Sequence, residues 1–280
     1  GVTQRIAVDI KNSRAKANNV KVNFYDGDPE NGGQFIDSWQ MLSMDPETVQ
    51  NAAIPWTPAN TGIHQIFAVV DPDNTLNEPN ESNNKTSIDL LVYNQKLYVN
   101  QIIGDDSYDG STSVVLNSHG PKKTIRAAVD SGSLYDVIFV NPGVYDDGYY
   151  TLVALKEGMK LIASDPRQAV FKNAWALGLA KNSQVSGLTF DTDSNALFYQ
   201  GDGTGFVTVE NCIIKGGNQS SGARLENLNQ ALIKNNLIID NYYSGLHLDR
   251  VKNLTIINNT FNNNGENWMG NAVYDLAYDS

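Results

Sequence analysis

Three stretches in the second half of the chain decide its fold: GFVTVENCIIKG at 205–216, NQALIKNNLIID at 229–240 and KNLTIINNTFNN at 252–263. Written one above another, they place apolar residues over apolar residues and asparagine over asparagine. Each stretch is short and is followed by polar turn residues, which is typical of a β-strand rather than a helix. A pattern that returns every 23 or 24 residues predicts a β-solenoid, in which each coil buries its apolar side against its neighbours.

The same register extends to earlier coils. Steps of 24, 24, 24, 24 and 23 residues connect one apolar position on successive rungs: Val137, Leu161, Val185, Val209, Ile233 and Ile256. Five positions later, the last four rungs carry Phe190, Ile214, Ile238 and Phe261. A second register, at a step of 23, aligns SGARLENL from Ser221 with SGLHLDRV from Ser244. We therefore expect columns of like side chains at the strand spacing of about 4.8 Å.

Asparagine recurs beside these apolar columns. One position carries Asn211, Asn235 and Asn258, and the next carries Cys212, Asn236 and Asn259. Aligned asparagine amides are expected to hydrogen-bond along the stack and to satisfy backbone groups at the bends. Cys212 has no histidine or other base placed beside it, so a structural filler is expected rather than a nucleophile.

The beginning of this segment carries a further pattern. The sequence reads LYVNQIIGDDSYDGS at 97–111, GPKKTIRAAVDSG at 120–132 and DVIFVNPGVYDD at 136–147, and it resembles the opening of pectate-lyase-like β-helix proteins. The resemblance implies a right-handed parallel β-helix over residues 96–280, with about six coils and a short helix that covers its open N-terminal end. Ile125, Ala128 and Val129, at helical spacing, would face the core.

Residues 1–95 carry short alternating strands separated by turn clusters such as DGDPENGG at 26–33. This spacing, without helical periodicity, predicts an antiparallel β-sandwich. FAVVDPDNTLNEPNESNNKTSIDLLV at 67–92 resembles the CARDB family, Ig-like modules of bacterial and archaeal surface proteins. Such modules open with one more strand than residues 1–95 provide. Either the chain is a fragment, or a neighbouring molecule supplies the strand at an open edge.

Two acidic turns in this sandwich predict calcium as a cofactor, because calcium prefers hard oxygen ligands. The first turn does not have the glycine and glutamate of an EF-hand. The alternative is that these side chains cap their own turn backbones. The candidate ligands are Asp71, Asp73, Asn77, Glu78 and Glu81 in one turn, and Asp26, Asp28 and Glu30 in the other.

Composition excludes several classes of function. The 20 basic and 31 acidic residues give a net charge of −11, which argues against a nucleic-acid partner. A single cysteine excludes an intrachain disulfide and a CxxC metal site. No apolar run is long enough to span a membrane. An extracellular or cell-surface location fits the Asn-x-Ser/Thr glycosylation candidates, which are Asn80, Asn84, Asn218, Asn253 and Asn258.

The later coils carry the catalytic candidates Glu226, Asp249, Arg250 and His247. The resemblance to pectate-lyase-like enzymes implies carboxylates that hold calcium and an arginine or lysine base. Glu226 and Asp249 align at a step of 23, which would place two carboxylates about one strand spacing apart. The alternative is an ordinary solvated face, since outward positions of a solenoid are polar by default. Further charged candidates are Asp191, Asp193, Glu210, Arg224 and Asp240.

Aromatic residues provide a second kind of candidate. The aromatic candidates for stacking on a sugar or on another protein are Tyr145, Tyr149, Tyr150, Tyr242, Tyr243, Trp268, Tyr274 and Tyr278. The alternative is that these rings pack in turns and cover the end of the coil. Tyr242 and Tyr243, in a loop between coils, are the first pair to test as a binding site.

Two functions of different classes follow. The first is an extracellular structural or adhesive protein, as a subunit of a surface layer, sheath or filament, whose rigid β-helix offers a glycan- or protein-binding face and whose open β-edges allow self-association. The alternative is a secreted polysaccharide lyase or related carbohydrate-active enzyme with an accessory Ig-like module. No lyase or polygalacturonase signature is present, and fold-level analogy is weak evidence of activity, so the sequence favours the first.

Overall fold

The computed structural model describes residues 3–146, 152–172, 176–216, 220–265 and 272–276. The chain divides into two compact units, Gly1–Val92 and Tyr93–Ser280. Both units are built mainly from β-strands, as the sequence predicts for an all-β fold. No helix in the described ranges is long and apolar enough to cross a membrane.

The first unit is an antiparallel sandwich. Its strands are β1 Gln4–Asn12, β2 Ala17–Asp26, β3 Gln34–Met44, β4 Thr48–Trp56, β5 Gly62–Val70 and β6 Lys85–Val92, with short 3-10 turns at Pro29–Asn31 and Glu81–Asn83. One sheet pairs β1 with β4, and the other has the order β3-β2-β5-β6. Val20, Val22 and Phe24 of β2 are buried, since alternate residues of a strand share one face. They pack with Ile54 and Trp56 of β4 in the core of this unit.

The second unit begins at β7 and contains one described helix, α1. Its elements are β7 Lys96–Val99, α1 Ile125–Ser131, β8 Val137–Val140, β9 Gly143–Asp146, β10 Leu152–Ala154, β11 Lys160–Ala163, β12 Ala169–Lys172, β13 Ala176–Gly178, β14 Ser183–Ser186, β15 Leu188–Thr192, β16 Leu197–Gln200, β17 Phe206–Glu210, β18 Ile213–Gly216, β19 Ala223–Lys234, β20 Leu237–Asn241, β21 Leu246–Ile257, β22 Thr260–Asn262 and β23 Val273–Leu276.

These strands pair in parallel and form three ladders. The first ladder contains β7, β8, β11, β14, β17 and the second halves of β19 and β21. The second contains β9, β12, β15, β18, β20 and β22. The third contains β10, β13, β16, the first halves of β19 and β21, and β23. Equivalent strands of successive coils stack in each ladder, so the unit is a parallel β-helix.

The strand register confirms the predicted apolar columns from Leu161 to Ile256 and from Phe190 to Phe261. The prediction was wrong for the first rung of the Leu161 column, because Leu161 pairs with Ile138 and not with Val137. Ile138 and Leu161 both belong to the buried core of the β-helix. This coil is therefore one residue shorter than the 24-residue step predicts, and a shift of one residue moves a side chain to the other face of the sheet.

The asparagine columns form as predicted. Asn211, Asn235 and Asn258 adopt left-handed φ values of 57°, 57° and 54° at equivalent bends, a region that asparagine tolerates better than most residues. In the neighbouring column, Asn236 accepts a hydrogen bond from Cys212 N and donates to Asn259 Oδ1, each at 2.9 Å. The amides thus bond along the stack of coils.

Helix α1 begins after Thr124, whose hydroxyl accepts a hydrogen bond from Ala127 N. Ile125, Ala128 and Val129 are buried, as their helical spacing predicts. The helix packs against β7, β8 and β10. Its role as a cover for the end of the coil stays a prediction.

Candidate functional site

The first predicted calcium turn is organised by Asp71. Its Oδ1 accepts hydrogen bonds from the backbone nitrogen and hydroxyl of Thr75, both at 3.0 Å, and its Oδ2 accepts one from Leu76 N at 2.7 Å. Asp71 therefore caps its own turn, which is the alternative role that the sequence leaves open.

The other acidic residues of this turn have different partners. Asp73 forms an ion pair with Lys21 at 2.9 Å. Glu78 and Glu81 both accept hydrogen bonds from the side-chain amide of Asn84. Asn77 is exposed.

In the second acidic turn, Asp28 accepts a hydrogen bond from Glu30 N at 3.2 Å. That bond is the largest cause that holds the pKa of Asp28 below its ordinary value. Lys85 Nζ lies 3.3 Å from Asp28 and 2.8 Å from Glu30, whereas Asp26 pairs with His64 Nδ1 at 2.7 Å. Over the described ranges, no group of three or more Asp, Glu, His or Cys side chains could hold a metal ion. Calcium binding stays a prediction.

The catalytic candidates lie together on the outward face of the third ladder. Arg224 pairs in register with His247 on the next coil, and Glu226 pairs with Asp249. His247 in turn pairs with Tyr274 of β23. We call Arg224, Glu226, His247, Asp249, Arg250 and Tyr274 the third-ladder cluster.

Each carboxylate of the cluster has an arginine partner. Arg224 Nε lies 2.5 Å from Glu226 Oε1, and Arg250 Nη2 lies 3.0 Å from Asp249 Oδ2. Glu226 is only 5% exposed although it faces outward, whereas both arginines are exposed. Asp249 Oδ1 is buried and has no hydrogen-bond partner, an arrangement that calls for a physical explanation in a native protein.

The backbone at the cluster is also unusual. Arg250 has a left-handed φ of 53°, at the corner equivalent to Asn227 on the previous coil. An arginine adopts this region less readily than asparagine does. Arg250 Nε donates to Asn227 Oδ1 at 2.5 Å, which holds the two corners together. Sequence reasoning missed Asn227, although the step of 23 that aligns Glu226 with Asp249 also aligns it with Arg250.

Two aromatic rings border the charged groups. The rings of His247 and Tyr274 lie 5.2 Å apart at an angle of 41°. Burial is the main cause that lowers the pKa of His247 below 6.5, and the positive charge of Arg224 adds to it. His247 is therefore neutral at pH 7, and the positive charge of the cluster comes from its arginines.

The predicted binding pair Tyr242 and Tyr243 lies just before β21. Their rings make an edge contact with centroids 5.0 Å apart, and Tyr243 is 41% exposed. Tyr145 is instead a buried core residue whose hydroxyl donates to Asn141 O at 2.8 Å, so it is not available to a ligand. Four of the aromatic candidates lie outside the described residues: Tyr149, Tyr150, Trp268 and Tyr278.

The remaining charged candidates lie apart from the cluster. Asp191 pairs with Lys215 on the second ladder at 3.6 Å, and Glu210 pairs with Lys234 on the first at 2.8 Å. Asp240 accepts a hydrogen bond from Asn263. Asp193 is exposed in a turn.

Cys212 is fully buried, and burial raises its pKa to about 12. A thiol in this state is a poor nucleophile, which fits the expected filler role. Of the glycosylation candidates, Asn80, Asn253 and Asn258 are exposed, Asn84 is half-buried, and Asn218 lies outside the described residues.

Comparison with known proteins identifies both parts of the chain. The CARDB family matches residues 1–88, and the family described as right handed beta helix region matches residues 175–275. Residues 1–88 thus match a CARDB domain and residues 175–275 match a right-handed β-helix, as the sequence predicts. This combination fits an extracellular or surface protein.

Two solved structures are similar to part of the chain. The crystal structure of a CARDB domain from Pyrococcus furiosus, in complex with di-metal ions, is 29% identical, covers 32% of this chain and 74% of its own, and has a TM-score of 0.29. A solution structure from Geobacter metallireducens is 30% identical over 34% of this chain and 84% of its own, with a TM-score of 0.28. No curated protein matches the chain.

Proposed function

We propose that the protein is a structural or adhesive component of a cell surface, in a layer, sheath or filament, and that the third-ladder cluster is its glycan-binding face. One observation carries the glycan-binding face: the rings of His247 and Tyr274 lie 5.2 Å apart beside Asp249, whose partly exposed carboxylate pairs with Arg250 through Oδ2. Aromatic rings pack against the apolar face of a sugar, and a carboxylate oxygen accepts hydrogen bonds from sugar hydroxyls.

The surroundings of Asp249 support the same ligand class. Glu226 lies on the neighbouring rung and supplies a second shielded carboxylate. The rings of His247 and Tyr274 offer an aromatic surface next to these acceptors. Binding sites of small ligands combine apolar or aromatic walls with a few placed polar groups. Because the two arginines balance the two carboxylates, a neutral glycan is favoured over a strongly acidic one.

A glycan array probed with the labelled full-length chain tests the proposal. We expect binding to at least one neutral glycan and at least tenfold weaker binding by Asp249→Asn, since the amide introduces a donor where an acceptor is needed. Asp240→Asn is the matched control, because Asp240 lies on the second ladder and should leave binding unchanged. A blank array, or equal binding by wild type and Asp249→Asn, would refute the glycan-binding face.

A polysaccharide lyase or related carbohydrate-active enzyme is the second candidate. It is favoured by the in-register placement of Glu226 and Asp249, about one strand spacing apart. The test is the absorbance at 235 nm during incubation with pectate and alginate. A rise that Glu226→Ala or Arg250→Ala abolishes would establish the enzyme and overturn the purely adhesive function.

The structural part of the proposal is tested separately. Electron microscopy of intact cell-surface material, labelled with an antibody to this chain, is expected to show it in a repeating assembly. A uniformly dispersed monomer would contradict that part and would leave the glycan-binding test unaffected.

A further inference from the structure

We propose that Asn31 of the CARDB domain is a site of spontaneous deamidation, at which the backbone nitrogen of Gly32 displaces the side-chain amide as ammonia. The chain contains two Asn-Gly pairs, Asn31–Gly32 and Asn264–Gly265. A glycine after asparagine has no Cβ to hinder its backbone nitrogen as that nitrogen approaches the neighbouring amide carbon. The sequence marks both pairs equally, and the structure distinguishes them.

The reaction balances with water as its only other reactant. The nitrogen of Gly32 attacks Cγ of Asn31 and forms a C–N bond, while the bond from Cγ to Nδ2 breaks. The proton of Gly32 N leaves with the departing nitrogen as ammonia. Water then adds to either carbonyl group of the resulting succinimide ring and opens it, which gives aspartate or isoaspartate at position 31. The overall change replaces a neutral amide by a carboxylate.

The nucleophilic nitrogen is free in the first pair. Asn31 and Gly32 are both exposed, and the 3-10 turn Pro29–Asn31 between β2 and β3 contains no buried residue. Asp28 O accepts hydrogen bonds from Asn31 N at 2.9 Å and from Gly33 N at 2.7 Å. These bonds pass over Gly32 N, which has no hydrogen-bond partner among the residues that the structure describes.

The surroundings of Gly32 leave room for the reaction. Gly32 has a left-handed φ of 87°, and apart from its chain neighbours no atom lies within 4 Å of the place that a Cβ would take. The amide of Asn31 has its partner in the same turn, where Nδ2 donates to Asp28 Oδ2 at 2.8 Å. Exposed turns with few buried contacts open at little cost in free energy. Asn31 Cγ can therefore reach Gly32 N without the unfolding of β2 or β3.

The second Asn-Gly pair is held within the β-helix. Asn264 Oδ1 accepts a hydrogen bond from Asn241 Nδ2 at 2.7 Å, and Asn264 Nδ2 donates to Ile238 O at 2.9 Å. Gly265 N donates to Asn241 O at 2.8 Å. Both reacting groups are occupied, so they become available only when the coil opens. This pair is an internal comparison with the same chemistry and a different structure.

Deamidation changes the charge and the length of the turn between β2 and β3. The pKa of Asp28 is held below its ordinary value first by the hydrogen bond from Glu30 N and next by the one from Asn31. A carboxylate at position 31 removes that donor and faces Asp28 with a like charge. Isoaspartate also lengthens a tightly closed backbone, since a Cβ on Gly33 would lie only 2.1 Å from Gly27 O. The modification therefore loosens the turn.

Peptide mass spectrometry tests the proposal on the full-length folded chain, incubated at mildly alkaline pH below its unfolding transition. Water enriched in the heavy oxygen isotope labels each new carboxylate. We expect deamidation at Asn31 to be at least tenfold faster than at Asn264, because only the second requires the coil to open. Isoaspartate should be among the products, and the two rates should become similar in urea. Asn31→Gln is the matched control and should stay unmodified at position 31, because the longer side chain does not close the same ring.

The outcomes separate the reaction from its structural cause. Equal rates at the two asparagines in the folded chain, or a reaction at Asn31 that occurs only in urea, would overturn the proposal. Aspartate as the sole product would indicate direct hydrolysis and would overturn the attack by Gly32 N. Asn31→Asp, which carries one of the two products, should show faster amide hydrogen exchange at residues 27–33 than the wild type. Unchanged exchange there would contradict the loosened turn.

Discussion

Replacing Asn236 by alanine removes the centre of an asparagine ladder in the β-helix. Asn236 is 2% exposed. Its amide nitrogen donates to Val209 O and to Asn259 Oδ1, and its oxygen accepts from Cys212 N, each at 2.9 Å. The variant leaves the Cys212 N–H and the Val209 carbonyl inside the coil without these partners, and alanine offers nothing in return.

The expected cost follows from these groups. Each net hydrogen bond contributes about 1 kcal/mol, and each buried group left unsatisfied costs about 1–3 kcal/mol. We expect the free energy of unfolding of the β-helix to fall by about 3–5 kcal/mol. For a unit of this size, about 1 kcal/mol corresponds to roughly 2–4 °C in Tm, so the transition should move down by about 10 °C.

Scanning calorimetry of the full-length chain measures this shift, with Asn253→Ala as the matched control. Asn253 lies in the first ladder, like the second half of β19, which precedes Asn236. The side chain of Asn253, however, is exposed. Its substitution should change the free energy of unfolding by less than about 0.5 kcal/mol. If Asn236→Ala and Asn253→Ala unfold at the same temperature, the asparagine ladder does not stabilise the coil as we argue.

Three further predictions concern single side chains. Cys212→Asn should raise the free energy of unfolding by about 1 kcal/mol in urea titration, because an amide continues the ladder at similar volume; a decrease would contradict this. Arg167 Nε and Nη2 donate to backbone carbonyls on two later coils, at 3.1 and 3.0 Å. Arg167→Ala should therefore lower the free energy of unfolding by about 2 kcal/mol in the same urea titration. A change within error of zero would refute this role. In an NMR titration of His247, Arg224→Gln should raise the pKa and Glu226→Gln should lower it further, whereas an unchanged midpoint in both would contradict the electrostatics of the cluster. The lowered pKa means that the unfolded chain takes up the proton first, so the contribution of His247 to stability is present above pH 6.5 and is lost as the pH falls below it.

The sequence predicted the fold well because its period is directly visible. Residues that face the core recur at 23 or 24 positions, and only stacked coils satisfy such a repeat. The error at Val137 arose in the first coil, where α1 and the loop before it hide the start of the repeat. The first coil is one residue shorter than the next ones, and the composition of the sequence does not reveal a difference of one residue.

The candidate site was only partly predictable. The step of 23 aligned Glu226 with Asp249, but periodicity does not show that Arg224 shields one carboxylate while the other keeps a buried oxygen without a partner. The capping role of Asp71 was equally hidden, because the same carboxylate suits a metal or its own turn.

The glycan-binding face is tested most directly by hydrogen–deuterium exchange of the full-length chain with and without a glycan selected on the array. We predict slower exchange in the third-ladder parts of β19 and β21, around Glu226 and Asp249, and the same exchange on the second ladder around Asp191. Protection confined to the CARDB domain or to the second ladder, or protection that persists in Asp249→Asn, would contradict the account.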